Sequence, residues 1–106
     1  MRTRQKFLEK ASPEDRDNVW LQCLVIGFGK CGEILADRLY GLKADVTVST
    51  RDGRHKAKAR SYGYYVPEVI PYETFAFLFY TAPAKVITPS VIDRLSPDTV
   101  IIDIAG

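Results

Sequence analysis

Apolar and polar positions change period several times along the chain, and the changes mark out its elements. Leu21 to Ile26 is a nearly unbroken apolar run, the pattern of a strand buried on both faces. From Lys30 to Tyr40, Ile34, Leu35 and Leu39 fall on one side of a helix while Glu33, Asp37 and Arg38 fall on the other, and Gly41 supplies a natural stop. In Asp45 to Thr50, Val46 and Val48 alternate with Thr47 and Ser49, which predicts a second strand. Strand, helix and strand within about thirty residues make a βαβ unit, so the two strands are parallel neighbours.

The pattern continues in the same manner. Arg51 to Arg60 predicts a turn into a second helix that ends near Tyr62-Gly63, and Tyr64-Tyr65-Val66 a short third strand stopped by Pro67. Pro71, with Glu73 and Phe75, marks an irregular or briefly helical connection. Ala76 to Tyr80 is apolar and aromatic throughout, a central strand buried on both faces, and Thr81-Ala82-Pro83 ends it. Thr88-Pro89-Ser90 caps a further helix with Val91, Ile92 and Leu95 as its apolar face. Thr99 to Ile104 is a β-branched run that predicts a fifth strand. Ahead of all this, residues 1–20 read as a helical lead-in: Ser12-Pro13-Glu14-Asp15 is a helix start, and Trp20 is an apolar anchor.

What lies between the first strand and the first helix gives the pattern a chemistry. Gly27-Phe28-Gly29-Lys30-Cys31-Gly32 has the form G-x-G-x-x-G, and its value as a signal comes from the buried strand before it and the amphipathic helix after it. Gly27 permits the tight turn, Gly29 lets backbone N–H groups approach a pyrophosphate, and Gly32 lets helix and strand pack closely. The helix start, with unpaired N–H groups and the positive dipole end, favours an anion. The expected fold is therefore α/β: a Rossmann-like open parallel sheet of about five strands, order 3-2-1-4-5, with helices on both faces, over residues 21–106. Ligands of such sheets bind at the carboxyl ends of the strands where the order reverses, which places the glycine turn and Thr81-Ala82-Pro83 on one crevice.

Composition narrows the classes. A chain of 106 residues, 46% hydrophobic and 26% charged, has room for one globular domain but not for a cofactor domain and a full substrate domain together. The formal net charge of +2 gives no footprint for nucleic acid, and no apolar run approaches a bilayer span. No signal peptide follows the basic N-terminus, so the expected setting is cytoplasmic and Cys23 and Cys31 are expected as free thiols. Cys23 reads as a core residue of the first strand and Cys31 as a small packing residue in the first helical turn. The single histidine, His55, has no second ligand at metal-binding spacing and reads as a phosphate-side or surface residue. No metal site is expected.

The end of the second strand carries the choice of cofactor. Domains that take the unphosphorylated nicotinamide dinucleotide place an acid there, roughly 20 residues past the glycines, for the ribose hydroxyls. Here Ser49-Thr50-Arg51 stands instead. Thr50 and Arg51 can donate to a 2′-phosphate and Arg54, His55 and Lys56 add positive field, which favours NADP, with NAD as the other cofactor; the competing reading is a solvated basic helix start, since Asp52 sits within it. Tyr62, Tyr64 and Tyr65 read as packing around the third strand. Asp103 reads as an end-of-strand polar group, and no catalytic residue can be named.

Together Leu24 to Gly32, Ala44-Asp45-Val46-Thr47-Val48, Thr81-Ala82-Pro83-Ala84 and Val100 to Ala105 resemble the nucleotide-binding domain found in one subunit of dipicolinate synthase, akin to the D-2-hydroxyacid dehydrogenases. The resemblance implies an oxidoreductase domain that uses a nicotinamide cofactor. It implies Gly27, Gly29 and Gly32, with the intervening Phe28, Lys30 and Cys31, as the pyrophosphate turn. Arg51 would be the ribose-side contact, and Thr81, Ala82 and Pro83 the turn beside the nicotinamide half. Tyr80 departs from the Asn that the family tends to place before its Thr-x-Pro turn. The family's N-terminal domain and the Ser-Lys-Pro-Gly-Gly stretch after the last strand have no counterpart here. The expectation is a cofactor-binding core that ends before a sixth strand and depends on self-association or on a missing catalytic domain or subunit. Two other classes share part of the pattern. Ligand-sensing regulatory domains of potassium channels and transporters match Val25 to Leu39 but usually keep an acid where Arg51 stands, and a structural domain without ligand would need the turn alone.

Overall fold

Cys23, Leu24 and Val25 have no exposed surface, because the strand they form lies inside the sheet. The computed structural model describes residues 21–82 and 88–104; the helical lead-in of residues 1–20 with Trp20, the turn residue Pro83, and Ala105-Gly106 lie outside the described residues. Strand β1 (Gln22–Ile26) runs between β2 (Asp45–Ser49) and β3 (Phe77–Tyr80), and β4 (Val100–Asp103) pairs with β3, giving the order β2-β1-β3-β4. All three pairings are parallel, with Cys23 opposite Val46 on one side and Phe77 on the other.

The strand expected over Tyr64-Tyr65-Val66 contracts to a single residue. Tyr65 makes one parallel bridge to Thr47, through Val48 N–H to Tyr65 O at 2.8 Å and Tyr65 N–H to Val46 O at 3.2 Å. Pro67 has no N–H to continue a ladder. The sheet thus has four strands rather than five, and with the bridge on the outer side of β2 the spatial sequence of the predicted segments remains 3-2-1-4-5.

Alternate residues of β1 serve two cores. Cys23 and Val25 face Val46, Val48, Phe77 and the helix residues Ala36 and Ala59, while Leu24 and Ile26 face Phe75 and Leu78, edged by Ile70, Tyr72, Tyr80 and Leu95. This is the arrangement of a parallel sheet covered on both faces, and it explains why the run from Leu21 to Ile26 does not alternate. β3 is less enclosed than its sequence suggests, since Phe77 and Leu78 are buried but Phe79 and Tyr80 only partly so.

The helices correct three expectations. Helix α1 (Lys30–Gly41) buries Gly32 and Ala36, with Leu35 and Leu39 packed beside them, whereas Ile34 is 52% exposed. Positions 32, 35, 36 and 39 are one helical face, and the small residues on it let the backbone lie close to the sheet; Ile34 falls off that face. Gly41 is the last helical residue and not the stop. The left-handed residue is Lys43 at φ 64°, and Leu42, Lys43 and Ala44 N–H groups take up the last helical carbonyls. Helix α2 (Gly53–Ser61) closes as expected at Tyr62, with Gly63 at φ 88°. Helix α3 (Pro89–Arg94) has the expected Thr88 cap, but six residues are too few for an apolar stripe: Ile92 is 52% exposed and Leu95 packs from beyond the helix end.

The close approach of α1 to β1 rests on Gly32. A Cβ at this position would lie 2.3 Å from the Gly27 carbonyl oxygen, whereas one at Gly41 would meet nothing within 4 Å. We expect Gly32→Ala to lower the unfolding free energy by about 1–3 kcal/mol, as overpacking against backbone does. Gly41→Ala should raise it by about 0.5–1 kcal/mol through helix propensity alone. Urea denaturation of the two variants beside the parent measures both, and equal midpoints for Gly32→Ala and the parent would contradict the packing argument.

Candidate functional site

The carboxyl ends of β1, β2 and β3 converge where the order reverses, and the segment Gly27 to Gly29 crosses this end of the sheet. Gly27 has φ 95°, a conformation that L side chains rarely adopt, and its N–H bonds to Ser49 O at 2.8 Å across to β2. From the other side Thr81 fixes the same turn. Its N–H donates to Ile26 O at 2.9 Å and its hydroxyl lies 2.8 Å from Ile26 O and 3.3 Å from Gly27 O. A Cβ on Gly27 would meet the Thr81 hydroxyl at 2.7 Å and Ala82 N at 3.0 Å. The turn is therefore clamped between β2 and the end of β3.

Gly29 differs from both other glycines of the motif. It caps α1 in an ordinary extended conformation, φ −74° and ψ −163°, and a Cβ there would meet nothing within 4 Å. The start of α1 receives no side-chain cap, so its first N–H groups are presented to the open side. The neighbouring helix is the opposite case. Asp52 caps α2, accepting from Arg54 N–H at 2.8 Å and His55 N–H at 3.2 Å, and these two bonds hold its carboxyl below the usual carboxylate range. Its charge faces the α2 dipole.

A cavity of about 310 Å³ lies over the glycine turn, lined by Gly27 through Gly32 together with Thr50, His55, Thr81 and Ala82. A second, of about 510 Å³, adjoins it and is lined also by Ile26, Ser49, Arg51, Asp52, Tyr72, Thr88 and Val91. The two share Gly27, Thr50 and Ala82, so they form one crevice pinched at the turn. The structure thus brings together Gly27, Phe28, Gly29, Lys30, Cys31, Gly32, Thr50, Thr81 and Ala82, with Arg51 across the pinch. Arg54 is exposed and lines neither cavity, and Pro83 lies outside the described residues.

Several side chains sit differently from their sequence reading. Cys31 is exposed at the cavity rather than packed, whereas Cys23 is enclosed. Burial, with the Asp45 carboxylate adding to it, pushes the Cys23 thiol up to about 11. Phe28 is 2% exposed, its ring packed against Tyr62 and Tyr64, so it contributes backbone to the crevice while its side chain anchors the turn. Of the three tyrosines read as packing, only Tyr64 is buried. Tyr62 is 47% exposed and donates to Glu33 at 3.0 Å, beside the Lys58–Glu33 ion pair of 2.8 Å that ties α2 to α1. His55, read as a phosphate-side or surface residue, does line the glycine cavity and is partly exposed. Tyr72 and Thr88 come to the second cavity from segments that the sequence marks only as a connection and a helix cap; Tyr72 is held there by the Arg94 guanidinium 5.0 Å from its ring. Among the described residues no group of His, Cys, Asp or Glu could hold a metal ion, and no helix is long and apolar enough to cross a membrane.

The fold is shared with solved enzymes. The structure of a dipicolinate synthase subunit from Bacillus halodurans superposes with a TM-score of 0.72 at 22% identity, over 77% of this chain and 30% of that one. The corresponding dipicolinate synthase chain from Bacillus subtilis gives 0.71 at 24% identity, over 76% and 28%. An oxidoreductase assigned as a D-3-phosphoglycerate dehydrogenase from Ralstonia solanacearum gives 0.71 at 22%, over 79% and 26%. The chain spans less than a third of the length of each. No family model and no curated protein sequence matches it.

The two thiols give a direct check on the crevice. We expect a thiol reagent at pH 8 to modify Cys31 in the native protein and to leave Cys23 untouched until denaturant is added, since the thiolate is the reacting form and Cys23 is both buried and shifted away from it. Mass spectrometry of the peptides distinguishes the sites; labelling of Cys23 in the native state would contradict the burial of β1.

Proposed function

We propose that the chain is the dinucleotide-binding part of a nicotinamide-dependent oxidoreductase. The observation that carries this reading is the uncapped start of α1 behind Gly29, where the absence of a side chain leaves both a hydrogen-bonding surface and free space. Backbone N–H groups at a helix N-terminus suit a pyrophosphate, and a Cβ at Gly29 would fill the volume the phosphates need. The glycine cavity takes the pyrophosphate, the second cavity takes the adenosine between Arg51 and Tyr72, and the nicotinamide half leaves past Thr81 and Ala82. The fold likeness to dipicolinate synthase and to a dehydrogenase supports the assignment of the cofactor class.

The cofactor is NADP in preference to NAD. No acid at the end of β2 is free to bind the ribose hydroxyls: Thr50 and Arg51 occupy the place, and Asp52 is engaged in the cap of α2. An acceptor-only carboxylate would repel a 2′-phosphate, which a guanidinium can bind with charge assistance. Among the described residues Asp103 is an acid at this end of the sheet, opposite Tyr80 in the β3–β4 pairing, and we assign it no catalytic role. We place it in the cytoplasm, where Cys23 and Cys31 stay reduced, with the substrate clamp contributed by a further domain, another subunit or a second copy.

Two variants test the two halves of this reading. Gly29→Val keeps an extended backbone conformation and places its Cβ where nothing lies within 4 Å, so it should unfold at nearly the parent's temperature yet lose measurable NADPH binding by calorimetry. Binding as tight as the parent's would remove the turn from the site. Arg51→Ala should weaken NADPH by about ten- to a hundredfold, corresponding to roughly 1.5–3 kcal/mol for a charge-assisted contact, and change NADH little. An equal loss for both cofactors would show that Arg51 does not read the 2′-phosphate.

A further inference from the structure

His55 stands in the second position after the Asp52-capped Gly53, on the side of α2 that faces the glycine turn, and it is only partly exposed. Its backbone N–H is held by Asp52, but no side chain or carbonyl among the described residues bonds its imidazole. It lines the cavity over the glycine turn together with Thr50, while Arg51, one residue on, lines the adjoining cavity. Thr50 belongs to both. His55 and Arg51 thus reach the two cavities on either side of their shared residue Thr50.

We propose that His55 is a specificity-determining partner of the cofactor's 2′-phosphate, and that its protonation strengthens the discrimination for NADPH over NADH as the pH falls. The inference rests on the dinucleotide reading of the crevice and adds to it a second phosphate contact and a pH dependence. Histidine is the side chain whose ordinary titration lies between pH 5 and 8. A neutral imidazole offers one N–H to a phosphate oxygen, and the imidazolium offers two donors and a full charge. The groups around it are balanced. Lys30 and Cys31 share its cavity from α1, Glu33 from the same helix and Asp52 at the α2 cap feel its charge, and Arg54 and Lys56 flank it in sequence. Both carboxylates are already engaged, Glu33 with Lys58 and Tyr62 and Asp52 with the backbone, so an added phosphate dianion is the strongest new acceptor in reach.

Because His55 is the single histidine of the chain, its ring resonances can be followed by NMR in the untagged full-length protein without assignment ambiguity. The expected result is that saturating NADPH moves the titration midpoint of those resonances upward while NADH leaves it in place. In parallel, calorimetry should show NADPH binding roughly three- to tenfold tighter at pH 6.5 than at pH 8.5, with NADH unchanged; a tenfold change corresponds to one unit of midpoint shift. The phosphate's own second ionisation lies near 6, so at pH 6.5 about three quarters of it remains the dianion and its partial protonation works against the expected trend rather than producing it. His55→Gln should bind NADPH with no pH trend, and His55→Arg should hold the low-pH affinity across the range. A midpoint that does not move with NADPH, or a trend that persists in His55→Gln, overturns the proposal while leaving the cofactor site standing. A shift of equal size with NADH assigns His55 to the pyrophosphate and overturns it too. Binding of neither cofactor at any pH defeats the site reading and this inference with it.

Discussion

The contact between the Gly27 carbonyl and the α-carbon of Gly32 is the constraint on which the binding end of this domain depends. It sets how close α1 lies to β1, and therefore where the uncapped N–H groups of the helix point. The contact is held from both neighbouring strands, by Ser49 through the Gly27 N–H and by Thr81 through its hydroxyl. Thr81 is half of this clamp because its hydroxyl reaches two carbonyls that the turn leaves at the end of β1. A buried carbonyl without such a donor would cost more than the bond itself contributes. The glycine motif is thus less a loop than a three-strand junction.

The two helix starts at this junction are treated oppositely, and that contrast organises the electrostatics. α1 begins at Gly29 with no capping side chain, while α2 begins at Asp52 with a carboxylate that satisfies two N–H groups. A helix end left without an internal partner must find one in solvent or in a ligand. The acid beside Arg51 lines the second cavity, but one of its oxygens accepts from both the Arg54 and the His55 N–H, so its charge is partly taken up by the start of α2. The ion pair of Glu33 with Lys58, reinforced by the Tyr62 hydroxyl, joins the two helices. That pair raises the Lys58 ammonium and lowers the Glu33 carboxyl from their ordinary ranges, chiefly through the bond between them. Both are largely solvated, so the pair orients the helices more than it stabilises them.

Away from the crevice the domain leaves apolar surface uncovered. Val100, Ile101 and Ile104 on and just beyond β4 are each more than a third exposed. An exposed parallel edge with β-branched side chains is an unfavourable surface in isolation and a favourable one for pairing. The edge at β2 is protected by different means: Tyr65 makes its one bridge to Thr47 and Pro67 ends the ladder.

The sequence by itself determined the order of elements, the parallel sheet and the glycine turn, because each rests on local chemistry: a β-branched or apolar run makes a buried strand, and a glycine is needed where φ is positive or a Cβ cannot fit. It also marked the basic end of β2, Thr50-Arg51, as the feature on which the proposed choice of cofactor rests. What it did not determine was which face a helix turns inward, how far a strand extends, or which side chains meet across the crevice. Ile34 was legible as apolar but not as outward-facing, since the close packing at Gly32 and Ala36 admits the small residues and excludes the large one. The third strand was legible as a β-branched and aromatic stretch but not as a single bridge. The engagement of Asp52, the place of Arg54 outside the crevice, the exposure of Cys31 and the approach of His55, Tyr72 and Thr88 depend on segments distant in sequence or on the rotation of a helix about its axis. Only tertiary packing fixes those, because periodicity gives the spacing of side chains along an element and carries no information about the partner the element will meet.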